Sequence, residues 1–180
     1  HFIIGLDAPS NYFGAQKVFL DARERHVRLI DDNEDILPMK HKIDHPVDVL
    51  PESLIRAVRA FIVARAIRNA RGQQRAHASR FTDVQGRLRS RVADVVDRMR
   101  DAVAVDGAKG KAALCNPEIA ALHAVWEAEF AEAESADWPT VQARLHEALV
   151  AARVVEVNAS KRSQPLDYDQ GGEHGVTVIA

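Results

Sequence analysis

The sequence predicts an α/β fold: a mostly parallel sheet covered by helices, with substantial further helices inserted. Three observations predict it. Short apolar runs, "FIIGL" at 2–6, "RVVEV" at 153–157 and "VTVIA" at 176–180, read as buried strands. Longer segments between them repeat apolar residues at helical spacing. Strands that alternate with helices favour a parallel sheet with helices on its faces.

In chain order, "FIIGL" leads into "DAPSNYFG", where Pro9, Asn11 and Gly14 punctuate a loop. "KVFL" (17–20) and "HVRLI" (26–30) are strand candidates split by a charged turn, the pattern of a hairpin. Residues 31–50 are polar and irregular. Pro51 then opens a helix at its first position, where a missing N–H costs nothing. Leu54, Ile55, Val58, Phe61 and Ile62 make its apolar face, and Gly72 ends it. Arg65 falls near the middle of that apolar arc. Its head either reaches solvent near the helix end or is buried with an ion partner or a phosphate.

Residues 76–80 read as a short strand. Thr82 and Gln85 have capping-box spacing for a helix from about 83 to 104, whose apolar face is Val84, Leu88, Val92, Val95, Val96 and Met99. "DGAKGKA" (106–112) reads as a flexible linker. It lacks the spacing of a phosphate loop. Asn116-Pro117-Glu118 is a helix start made of a cap, a first-turn proline and an acid at the positive dipole end. Ile119, Leu122, Trp126 and Phe130 face inward from that helix. Another runs from about Trp138 to Ala151 on Val141, Leu145 and Leu149. "RVVEV" follows, then a long polar loop (158–175), then "VTVIA". The organisation expected is a single domain, 1–180, with a helical insertion at about 105–150.

A chain of 180 residues can bury a full core without staples. Apolar content of 47% and charged content of 28% are ordinary for a soluble globular protein. The lone Cys115 excludes an internal disulfide, fits a reducing cytoplasm, and reads as a small packed residue. No apolar run is long enough to span a membrane. Both ends read as cut: the chain opens on an apolar run without an initiator Met and closes on another. A fragment excised from a larger protein is expected.

The net charge of −2 hides an asymmetry. Residues 53–100 hold twelve arginines, no lysine and three acids, a balance of +9, which leaves −11 for the remainder. Such a block either forms a polyanion-binding face or is neutralised inside the fold by acidic segments such as "DDNED" at 31–35.

Most chemistry-bearing patterns fail on spacing. His41, Asp44 and His45 lie close together, but Pro46 argues against the helix that would put both histidines on one ion. No metal site is expected, and no catalytic residue can be assigned. Ser79 lies near His77 without an elbow motif around it. Asp167, Asp169 and Glu173 share the last loop, with Lys161 and Glu156 upstream. Their spacing does not match a compact nuclease signature, and a polar loop closed by Gly171-Gly172 accounts for them.

The basic constellation is better placed. Arg80 precedes a helix N-terminus, where backbone N–H groups and the dipole already favour an anion. Arg87 and Arg91 are one helical turn apart. Lys161 and Arg162 follow the strand at 153–157. In a parallel sheet both basic loops would leave the same carboxyl edge and give a nucleic-acid backbone a track. Tyr168 could add a stacking surface.

Several stretches together resemble the Z-one (Z1) domain, a family described as an endonuclease domain joined to superfamily II helicase-like ATPase modules. They are "PSNYFGAQKVF" (9–19), "LPESLIRAVRAFIVARAIRNARG" (50–72), "ASRFTDVQ" (78–85), "HAVWEAEF" (123–130) and "VVEVNAS…LDY…GVTVIA" (154–180). The resemblance implies a bacterial protein of DNA restriction or phage defence, sometimes beside MORC- or MutL-like ATPases. It implies a sheet resembling the second lobe of a helicase, in which "HASRF" touches the nucleic-acid backbone and "VTVIA" leads toward the ATP cleft. The parent protein would use ATP and Mg²⁺ through its remaining ATPase domains; no cofactor is expected in this chain, which alone should neither hydrolyse ATP nor cut DNA. The leading expectation is therefore a DNA-binding domain of an endonuclease or helicase-like ATPase. A metal-dependent nuclease domain and a protein-interaction module with an arginine-rich face are the alternatives.

Overall fold

The computed structural model describes residues 14–28, 30–36, 38, 40, 42, 45–73, 77–80, 86–133, 136–155 and 176–179. The chain divides into two compact units, 1–31 and 32–180. In the first, a π-helical turn at Lys17–Asp21 is followed by a short helix, α1, at Arg23–His26. The expected hairpin is thereby overturned. "KVFL" lies in a helical turn closed by the Ala22 N–H donating to the Lys17 carbonyl at 3.1 Å, and "HVRLI" begins inside α1. A four-residue apolar run has no period of its own, so it suits a helical turn as well as a strand. The strand expected at 2–6 lies outside the described residues.

The second unit is built on helix-to-helix packing. Its helices are α2 (Glu52–Ala70), α3 (Gly86–Asp106), α4 (Pro117–Glu129) and α5 (Trp138–Val150), with 3-10 turns at Gly110–Cys115 and Ala131–Ala133. The core joins Val58, Ile62 and Ala66 of α2 to Val92, Val96 and Met99 of α3, Ile119 and Leu122 of α4, and Val141, Leu145 and Leu149 of α5. Removing the side chain of a fully buried residue such as Leu145 would cost about 2–5 kcal/mol. These are the periodic positions of the sequence, so the amphipathic faces meet one another.

The strands are minor. β1 (His77–Arg80), β2 (Ala152–Val155) and β3 (Val176–Ile179) are four residues each. They form one small parallel sheet in the order β1-β3-β2. The chain is therefore mostly helical, and the expected α/β fold, a mostly parallel sheet resembling a helicase second lobe, is overturned. The physical reason lies in what fills the centre. An α/β core sits on both faces of a sheet. Here the core is drawn from α2, α3, α4 and α5, with Ala152 of β2 joining it and Val154 packed against it, and the "insertion" helices α4 and α5 are central packing elements.

Local chemistry explains the helix ends. Pro51 stands just before α2 and supplies no side-chain cap. Asp32, from the acidic run, caps the helix from a distance: its carboxylate accepts from the Ser53 N–H at 2.8 Å and the Ser53 hydroxyl at 2.6 Å. At the other end Gly72 adopts φ +71°. Its N–H donates to the Asn69 carbonyl (3.0 Å) and that of Gln73 to the Arg68 carbonyl (2.9 Å), a Schellman closure. Asn116 caps α4 by accepting from the Glu118 N–H at 3.0 Å, with Pro117 in the first turn. Asp137 caps α5 by accepting from the Thr140 N–H at 3.1 Å. The expected capping box at Thr82 and Gln85 lies outside the described residues.

The segment 106–112 is no flexible linker. α3 runs through Asp106, whose carboxylate takes bonds from Lys109 Nζ and Asn116 Nδ2. A Cβ on Gly107 would collide with the Val103 carbonyl oxygen, and Gly110 sits at φ +56°. The buried Gln142 amide on α5 donates to the Gly107 and Gly110 carbonyls at 2.8 and 3.0 Å. The glycines fix a tight corner instead of loosening one. Beside it, the His123 ring lies 5.6 Å from Trp126 and 4.7 Å from Trp138, and the two indoles are 5.9 Å apart.

Candidate functional site

The candidate site is the carboxyl edge of the small sheet. Arg80 and Val155 both stand opposite Ile179, on either side of it. Adjacent strands lie about 4.8 Å apart, so the ends of β1 and β2 are separated by about 10 Å. The chain leaving β1 reaches the N-terminus of α3 six residues later, and Arg87 lies in the first turn of that helix. Arg91 follows one turn on. Lys161, Arg162 and Tyr168 lie outside the described residues, on the segment that leaves β2. The two strands are separated by β3 rather than adjacent, and their parallel run brings the ends of both to this edge.

Much of the arginine block is paired inside the fold. Arg56 meets Glu129 at 2.7 Å. Arg59 lies 3.3 Å from both Glu52 and Glu118, and Arg98 lies 3.3 Å from Glu118, so one carboxylate links α2, α3 and α4. Arg100 pairs with Asp97 and donates to the carbonyls of Leu149 and Ala152 at 3.2 Å each. Arg91 donates to the Val47 carbonyl at 3.3 Å and lies 3.7 Å from Asp48 and 3.9 Å from Asp94. Its side chain stays 46% exposed, so it is partly committed and partly accessible. Arg89 is exposed. Among the described residues, five arginines of the block thus pair with carboxylates of the same chain.

Arg65 is only 5% exposed, so most of the side chain is buried. Burial pulls its pKa below the ordinary arginine value. The neighbouring Arg68 adds to this, and Glu147 opposes it. An arginine remains charged under these pressures.

A family model of the Z1 domain matches residues 53–180, from the first turn of α2 through β3. The chain belongs to the Z1 domain family. No curated protein and no solved structure shows significant similarity to it. The Z1 match contains four of the five stretches that carried the resemblance almost in full. The stretch at 9–19 precedes it.

The remaining sequence candidates of this Z1 domain divide sharply. Among the described residues no cluster of three metal-ligating side chains occurs, and no helix is long and apolar enough to cross a membrane. His45 is engaged with the Ile36 carbonyl at 3.0 Å, while His41 and Asp44 lie outside the described residues. So do Glu156, Asp167, Asp169 and Glu173. Cys115 is exposed, which corrects its expected packing.

Two features escaped the sequence reading. Asp32 as a distant cap left no signal, because nothing in a sequence links it to Ser53. Gln142 did leave one: it falls on the apolar arc of α5 beside Trp138, Leu145 and Leu149. A buried amide on such an arc requires partners, and the carbonyls of the 107–110 corner supply them.

Proposed function

We propose that this Z1 domain binds a nucleic-acid backbone at the carboxyl edge of its small sheet, within a bacterial protein of DNA restriction or phage defence. The observation that supports the reading is the register of the strands. Arg80 and Val155 flank Ile179, so the polypeptide carrying Arg87 and Arg91 and the one carrying Lys161 and Arg162 leave the same edge. The N-terminus of α3, six residues beyond Arg80, would add oriented N–H groups toward a phosphate. DNA is the proposed partner, with ATP and Mg²⁺ used by other domains of the parent protein and a MORC- or MutL-like ATPase as an associated protein.

Contacts of this type recognise charge, not bases. Binding should therefore be insensitive to sequence. Fluorescence anisotropy with labelled duplex and single-stranded DNA at low salt tests it. The double variant Arg80→Ala, Arg87→Ala should weaken binding by about tenfold or more, with circular dichroism and melting unchanged. Unchanged affinity in the folded double variant would remove the edge as the site.

A further inference from the structure

A second concave surface lies apart from the sheet edge. A cleft of about 590 Å³ opens between the C-terminal end of α3, the 3-10 turn at Gly110–Cys115 and α5. That volume is in the range of small-molecule sites. Its walls are largely apolar, with Val103, Leu114, Trp138 and Ala143 among them. Two cationic or potentially cationic side chains, Lys111 and His146, also line it, and no carboxylate does.

The cleft is preformed. Its floor is the corner that Gln142 clamps through the Gly107 and Gly110 carbonyls, and the close approach of Gly107 to Val103 leaves that corner no slack. A rigid floor lowers the ordering cost of binding. An apolar wall with an indole selects a flat apolar body. Lys111 and His146, with no carboxylate lining the cleft, select a negative charge at its end.

We infer that this cleft is a binding site for a small aromatic anion, held by Trp138 and Leu114 along its body and by Lys111 and His146 at its acidic group. This inference does not depend on nucleic-acid binding, which is placed at the other surface.

The test uses the full chain and two probes with the same rings. 1-Anilinonaphthalene-8-sulfonate carries the anion, and N-phenyl-1-naphthylamine lacks it. The sulfonate should bind saturably at one site per chain, about tenfold tighter than the neutral probe. Ala143→Trp fills the cleft from an exposed helix position and should abolish both signals. Lys111→Ala, an exposed change that leaves the core intact, should bring the sulfonate close to the affinity of the neutral probe. Equal affinity for the two probes, or sulfonate binding unchanged in Lys111→Ala, overturns the inference. So does binding unchanged in a folded Ala143→Trp. DNA affinity should be the same in all these variants, which separates this outcome from that of the sheet edge.

Discussion

Single residues in this chain act through bonds that span long stretches of sequence. Asp32 holds its carboxylate against the first turn of a helix twenty-one positions away, and the Ser53 hydroxyl, then the Ser53 N–H, keep its carboxyl below the usual carboxylate range. The carboxyl thus releases its proton more readily in the folded chain than in the unfolded one. Its contribution is present above a pH of about 4 and is lost as the pH falls through the lower, folded value. Asp32→Ala should therefore melt below the wild type near neutral pH. The gap should close in acid, as followed by circular dichroism melts across a pH series. A gap that persists unchanged into strong acid would show that the charge is irrelevant. Asp106 follows the same logic, with Lys109 the larger cause and Asn116 the lesser. At this scale the sequence was legible where partners are neighbours, as at Asn116 with Glu118, and illegible where they are distant.

At the scale of elements, periodicity located α2, α4 and α5 to within about two residues, because their apolar faces are long enough to have a period. It failed for "KVFL", which is too short to carry one. The glycines of 106–112 misled for a different reason. Glycine marks both slack chain and chain forced into close approach, and Gly107 is the second kind. How the helices are tied to one another was invisible in advance. Arg100 on α3 reaches the carbonyls that end α5 and begin β2. Cationic donors belong at a helix C-terminus, where carbonyls lack partners. Arg100→Met keeps the bulk of the stem and removes the donors. It should cost about 1–2 kcal/mol in chemical denaturation, since the side chain is partly exposed. Loss of no more than a surface substitution would show that the carbonyls find water equally well.

For the whole molecule, the charge block is the feature most easily misread. A count of twelve arginines in 53–100 suggests a broad cationic face, but among the described residues five of them pair with carboxylates of the same chain. Three of them, Arg56, Arg59 and Arg98, tie α2, α3 and α4 together. The fold class was misread by the same kind of step. The strand-like runs suggest a sheet at the centre of the molecule, whereas the helices bury one another to make the core. What remained legible was the ordered set of stretches that marks the Z1 family. The proposed DNA contact then has a defined size. If all twelve arginines met phosphates, log K would fall against log salt with a slope near −11 on duplex DNA; contacts limited to the sheet edge give about −3 to −5. Anisotropy titrations from 50 to 200 mM salt distinguish the two. A slope near zero would deny a phosphate contact altogether.

The placement of the two tryptophans has a practical consequence. Both belong to the α4–α5 region and flank His123, while β1, β2 and β3 contain none. Tryptophan emission will therefore report the unfolding of the helical core and stay silent about events at the strand ends. A titration followed by that optical signal alone would register an occupied nucleic-acid surface as no change, so a dye attached near Arg80 is the appropriate sensor.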